Sequence, residues 1–168
     1  MAGMISNLIQ ILNEQTERHS ELLGLSIEEK DAIVKNDIET LQKLVNLKNI
    51  VISQNNKLER KRIALVADIA EVLALKDKDI DIKTLSEMLE GKPEQAELVE
   101  AGKKLKDVVV ELKEVNDFNK ELLENALGFV EYSLNALRSA ISPEPTMMPI
   151  GKPINNAGSI TGIIDTRS

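Results

Sequence analysis

The sequence holds no cysteine, a single histidine (His19), and three aromatic residues in all: Phe118, Phe129 and Tyr132. Without cysteine there are no disulfides, no thiol catalysis and no thiolate metal sites. Without more aromatics there is no platform on which bases could stack, and a formal charge of −7 repels phosphate. Both argue against nucleic-acid binding. No apolar run approaches the roughly 18–20 residues that span a bilayer. The best stretch, Ile63 to Leu75, is interrupted by Asp68 and Glu71, so no stable membrane insertion is expected. The N-terminus, MAGMISNLIQIL, has no basic residue before Arg18 and no small-residue cleavage site, which does not fit a secretory signal. These features suit a cytoplasmic protein. Catalysis is equally poorly provided for, with one histidine, no cysteine and no Gly-rich phosphate loop. Gly102-Lys103-Lys104 lacks the spacing of a P-loop. No enzyme activity, cofactor or metal is expected.

What the chain does contain is aliphatic residues at helical spacing. A hydrophobic content of 42% over 168 residues suffices for a core of Leu, Ile, Val and Ala, the composition of helix-on-helix packing. The pattern predicts an all-α protein: an elongated antiparallel bundle of three long helices, with one short helix in the second connection and a disordered C-terminal tail. The helices are expected at about 4–35, 37–75, 82–90 and 93–141, forming a body over 1–141. A flexible Pro-rich tail follows over 142–168.

In the first helix Ile5, Ile9, Leu12, Leu23, Ile27 and Val34 mark the stripe. Asn36, with Glu39 three residues on, is placed to cap the second helix. There Leu41, Leu44, Val51, Leu58, Leu65, Ile69 and Val72 follow a coiled-coil seam, with Lys48, Asn55 and Arg62 on the same line. Polar groups on a seam weaken packing, which places them near a helix end or a gap between partners. Asp81 or Thr84 starts the short helix carrying Leu85, Met88 and Leu89, and Gly91 ends it. Pro93 suits the first turn of the last helix, with Glu94 and Glu97 near its positive end. Its stripe runs from Leu105, Val109 and Leu112 through Asn116 and Asn119 to Ile141. At 1.5 Å per residue the three long helices measure roughly 45, 60 and 70 Å, so they cannot cover one another fully. The surplus stripe falls on the last helix, in which Gly128 marks where a bend would lie.

The tail holds four of the five prolines, and its charges balance (Glu144 and Asp165 against Lys152 and Arg167), so the whole −7 resides in the helical body. It keeps Met147, Met148, Ile150, Ile154, Ile160, Ile163 and Ile164, more apolar residues than a solvating linker needs.

Four local features carry groups capable of chemistry. Asp77, Asp79 and Asp81 alternate like the opening of a calcium loop, but Ile82 stands at the turn glycine and Met88 at the bidentate glutamate, so a solvated acidic loop is the better reading. His19 has no Glu-x-x-His pairing and reads as a packed or boundary histidine. Leu58-Glu59-Arg60-Lys61-Arg62 is short and lies among acidic residues, so it reads as a helix surface paired with Glu59 and the first helix. Asn116 and Asn119 lie three apart inside the last stripe, where asparagine either sets register or bonds a partner's backbone.

Two stretches together are familiar in their order and spacing. Lys30-Asp31-Ala32-Ile33-Val34-Lys35-Asn36-Asp37-Ile38-Glu39-Thr40-Leu41 precedes the Leu58–Arg62 cluster, and Asn116-Asp117-Phe118-Asn119-Lys120-Glu121-Leu122-Leu123 runs into Ala126-Leu127. The arrangement resembles the FlgN-like flagellar export chaperones, and the ending Ile163-Ile164-Asp165-Thr166-Arg167 is similar to endings in that family. The resemblance implies a cytoplasmic chaperone of flagellar hook-associated (hook–filament junction) proteins. It would hold their aggregation-prone terminal helical region and deliver it to the flagellar type III export apparatus. The resemblance also implies that the C-terminal part binds substrate.

The residues agree with that expectation independently, since helix-in-groove recognition needs anchors three and four apart. The expected substrate contacts are Asn119, Leu122, Leu123, Ala126, Phe129, Val130, Leu134, Leu137 and Ile141, with Phe129 the bulkiest. Burying one such side chain contributes roughly 1.5–3 kcal/mol, so three or four suffice for micromolar affinity after ordering costs. The competing expectation is a structural coiled-coil protein that self-associates through the same stripe without a substrate. The sequence leaves a homodimer open.

Overall fold

The computed structural model describes residues 1–75 and 80–141, which form helices joined by short turns, with no strand among them. Four helices follow in order: α1 (Ala2–Val34), α2 (Ile38–Val72), α3 (Ile82–Met88) and α4 (Pro93–Ile141). Asp77 and Asp79, and the whole of 142–168, lie outside the described residues, and with them the calcium-loop and tail expectations.

The helix ends follow from single residues. Asn36 takes a left-handed φ of 53°, and the N–H groups of Asn36 and Asp37 turn back to the carbonyls of Ile33 (3.1 Å) and Ala32 (2.9 Å), closing α1. Asparagine tolerates that conformation better than most residues. Because Asn36 closes α1, the cap of α2 passes to Asp37, one residue later than expected. Its carboxylate accepts from the Thr40 N–H at 3.0 Å and the Thr40 hydroxyl at 2.7 Å, which together hold its pKa below the ordinary aspartate value. Glu39 pairs instead with Lys43 at 2.7 Å. α2 closes by the same backbone motif, but with Ala74 in the left-handed position at φ 55° and Leu75 donating to Ala70 at 2.9 Å. Asp81 caps α3 by accepting from the Thr84 N–H at 2.7 Å. Gly91, at φ 80°, and Pro93 separate α3 from α4.

The chain divides into two compact units, Met1–Leu123 and Glu124–Ser168. In the first, Gln15 bonds Glu59 and Glu29 bonds Lys48, so the numbers run in opposite senses and α1 and α2 are antiparallel. Leu98 and Ala101 share a core with Ile5, Leu8 and Leu12, whereas Asn116 and Asn119 reach Ser26 and Glu29. Residues 93–123 of α4 therefore run in the same sense as α1.

Apolar and polar layers alternate along this unit. The largest apolar layer joins Ile5, Leu8 and Leu12 to Val66, Ile69 and Ala70, and to Ile80, Leu85 and Leu89 around α3. Gly102 lets α3 approach, since a Cβ there would stand 3.1 Å from Ile82 Cδ1. A second, smaller layer comprises Leu22, Val51 and Leu112.

The seam of α1 differs from the expected one. Its buried positions are Ile5, Leu8, Leu12, Gln15, Leu22, Ser26, Glu29, Ala32 and Ile33, whereas Ile27 and Val34 are exposed. The inward line passes through three polar residues, so a stripe drawn through apolar residues alone slips onto the neighbouring face. Val72 of α2 and Val109 of α4 are likewise exposed.

Candidate protein-binding surface

Two polar layers complete the first unit. In one, Gln15 donates to Glu59 Oε2 at 2.9 Å while Arg62 grips the same carboxylate through Nε at 2.8 Å and Nη2 at 2.7 Å. These donors, Arg62 foremost, hold the Glu59 pKa down at about 2. His19 Nδ1 lies 2.8 Å from the Gln15 carbonyl, and His19 and Asn55 line an open pocket of about 310 Å³ with these groups. The basic cluster thus uses Arg62 within its own helix.

In the other layer, Glu29 Oε2 accepts from Lys48 at 2.6 Å and from Asn119 at 3.1 Å. Ser26 donates its hydroxyl to Asn116 Oδ1 at 2.9 Å, and Asn119 donates to the Ser26 carbonyl at 2.8 Å. On the seam of α2, Asn55 and Arg62 border a gap between the helices, the open pocket that His19 also lines, and Lys48 and Arg62 are charge-paired. Each is matched by a carboxylate, across the helices for Lys48 and within α2 for Arg62. Among the described residues no group of three or more His, Cys, Asp or Glu is placed to hold a metal ion.

The expected substrate contacts divide sharply. Asn119 is only 3% exposed and is bound within the chain; Leu122 and Leu123 are half-buried in the first unit. Every residue from 124 to 141 is exposed. Among them are Ala126, Phe129, Val130, Leu134, Leu137 and Ile141 of the expected set, with Phe129 at 71%. Two further residues belong with them, Leu127 and Tyr132, the latter 73% exposed. The signal that points to Tyr132 is compositional. All three aromatics of the chain lie on α4 within 15 residues of one another, and all are exposed. A chain that places no aromatic in its core and concentrates them on an open helix face has the composition of a binding surface.

The model of the FlgN protein family matches residues 1–148. The chain belongs to the FlgN family. That family is one of flagellar export chaperones, which bind flagellar proteins. No curated protein and no solved structure matches the chain. The match spans α1 to α4 entire, so in this FlgN-family chain the exposed apolar residues of 124–141 belong to the family domain. The Ile163–Arg167 ending lies beyond the matched residues. No helix among the described residues is long and apolar enough to cross a membrane.

Proposed function

We propose that this chain is a cytoplasmic chaperone of flagellar hook-associated proteins. It holds their terminal helical region through residues 126–141 and delivers them to the type III export apparatus. The observation that carries the reading is the run of exposed apolar side chains after Leu123 on a chain of the FlgN family. A helix destined to pack in a filament has an apolar face that aggregates when open, and an amphipathic partner helix covers it. In this reading three long helices, each antiparallel to its predecessor, form the supporting body. Residues 142–168 continue the binding region. Asn119 acts inside the body, bonded to Ser26 and Glu29.

Co-purification of the full chain with hook-associated proteins tests the reading. The complex is expected to form with the wild type, and to be lost on Leu134→Asp and on deletion of residues 122–168. An intact complex in both variants would place the binding region elsewhere. The rival is self-association through the same face. Light scattering at several concentrations separates the two, because a persistent monomer leaves the face open for a substrate whereas a concentration-dependent dimer covers it.

A further inference from the structure

With 3.6 residues per turn, each residue of α4 is rotated about 100° from the last. On this basis the apolar side chains of 126–141 do not form one stripe. Val130, Leu134, Leu137 and Ile141, with Leu127 at the edge, make an aliphatic arc. Phe129 lies about 100° round from Val130, and with Tyr132 it makes a second, aromatic arc. All of these residues are exposed. Together the two arcs span about 220° of the helix, leaving a polar strip that carries Glu124, Glu131, Asn135 and Arg138.

An apolar face that packs against one helix is about 100° wide, and a coiled-coil seam is narrower. A single partner helix on the aliphatic arc would leave Phe129 and Tyr132 in water, and one on the aromatic arc would leave four aliphatic side chains there. A second copy of this chain supplies one such helix and closes one arc only. Between the arcs lie Ala126 and Ala140, with Ser133 the only polar side chain there. Small side chains at that border let two neighbouring occupants lie close and pack on each other. This is the arrangement of two helices belonging to one chain, where the second contact is intramolecular and needs little affinity of its own.

We infer that residues 126–141 are enclosed by two amphipathic helices of one partner chain, one on the Val130–Leu134–Leu137–Ile141 arc and the other on the Phe129–Tyr132 arc. The inference rests on the chaperone reading and specifies its substrate class: a partner that offers a helix pair, not an isolated helix.

Photo-crosslinking of the full chain with an intact hook-associated protein tests it, with benzoylphenylalanine placed at position 129 in one sample and at 134 in another. The expected result is crosslinks to two different segments of the same partner chain. In parallel, Phe129→Asp and Leu134→Asp should each weaken binding about tenfold or more. Glu131→Lys, on the polar strip, should leave it unchanged. Circular dichroism of each variant establishes that the helices remain. Crosslinks from both positions to a single partner segment, or loss of binding in Leu134→Asp alone, would overturn the helix-pair inference while leaving the chaperone reading intact. Crosslinks to a second copy or to residues 142–168 of the same chain would also overturn it. If both Asp variants bind like the wild type, both readings of this surface fail together.

Discussion

Asn119 donates its side-chain amide to the backbone carbonyl of Ser26 at 2.8 Å, across 93 residues of sequence. The same amide reaches Glu29 Oε2 at 3.1 Å, and Glu29 is held by Lys48 at 2.6 Å. One polar layer therefore ties α4 to α1 and α1 to α2. A slide of α4 by one turn, about 5.4 Å, would break both Asn119 bonds, so this layer fixes the register of α4.

Asn119→Ala should lower unfolding free energy by about 1–3 kcal/mol, the range for a hydrogen bond to a charged group in a buried setting. Urea denaturation measures the loss. Under conditions where the variant stays folded, its affinity for a hook-associated protein should match the wild type, because the side chain faces Ser26 and Glu29 and not a partner. A large affinity loss in the folded variant would return Asn119 to the contact surface.

Lys48→Met should cost about 3 kcal/mol, because it leaves the Glu29 carboxylate buried without its cation. The Glu29 and Lys48 side chains are only 10% and 16% exposed, which makes desolvation the dominant cost. Combining Lys48→Met with Glu29→Leu should recover part of that loss, since two apolar groups leave no uncompensated charge. A double-mutant cycle by chemical denaturation reads the coupling.

The Glu59 pKa is depressed from 4.5 to about 2, first by Arg62 and then by Gln15. A carboxylate with a lowered folded pKa contributes stability that is present above the unfolded value and lost as pH falls through the folded one. Glu59→Gln should therefore be less stable than the wild type at pH 7, with the gap closing between pH 4.5 and about 2. The side chain is 40% exposed, so screening reduces the contribution to about 1 kcal/mol. Denaturation of the two proteins in parallel at pH 7 and pH 3 gives the comparison.

Ala74 holds φ 55° to close α2, a conformation that a Cβ disfavours and glycine adopts freely. Ala74→Gly should raise stability by about 0.5–1 kcal/mol, seen as a higher urea midpoint with an unchanged slope. Asn36, which plays the same part after α1, should show a smaller gain on Asn36→Gly because asparagine already tolerates the position.

The helices themselves were legible along the chain. Apolar spacing, Asp81, Gly91 and Pro93 place α3 and the start of α4 where they stand. These signals act within a few residues, through caps, φ preferences and periodicity, and need no tertiary context. The cap at Asp37 was misplaced because Asn36 satisfies two local rules, and the choice depends on how α1 ends.

The inward face of each helix was less legible. Apolarity points to Ile27 and Val34 in α1, which are exposed, whereas the structure turns Gln15, Ser26 and Glu29 inward. A polar residue is buried only when a partner is waiting, and the partners, Glu59, Asn116, Lys48 and Asn119, lie 19 to 93 residues away. No local pattern carries that information. For the same reason Asn119 looked like Leu134 and Ile141, a member of one continuous stripe.

By itself, then, the sequence determined the helical class, the helix boundaries to within a few residues, the family, and the presence of a surplus apolar stripe on the last helix. Those properties are set by backbone preference and by periodicity along a single element. Only the tertiary structure decided where that stripe passes from interior to open surface, between the buried Asn119 and the exposed residues that follow Leu123. That boundary depends on which side chains find partners across the helices, and hydrogen-bond complementarity between distant segments exists only once they are brought together.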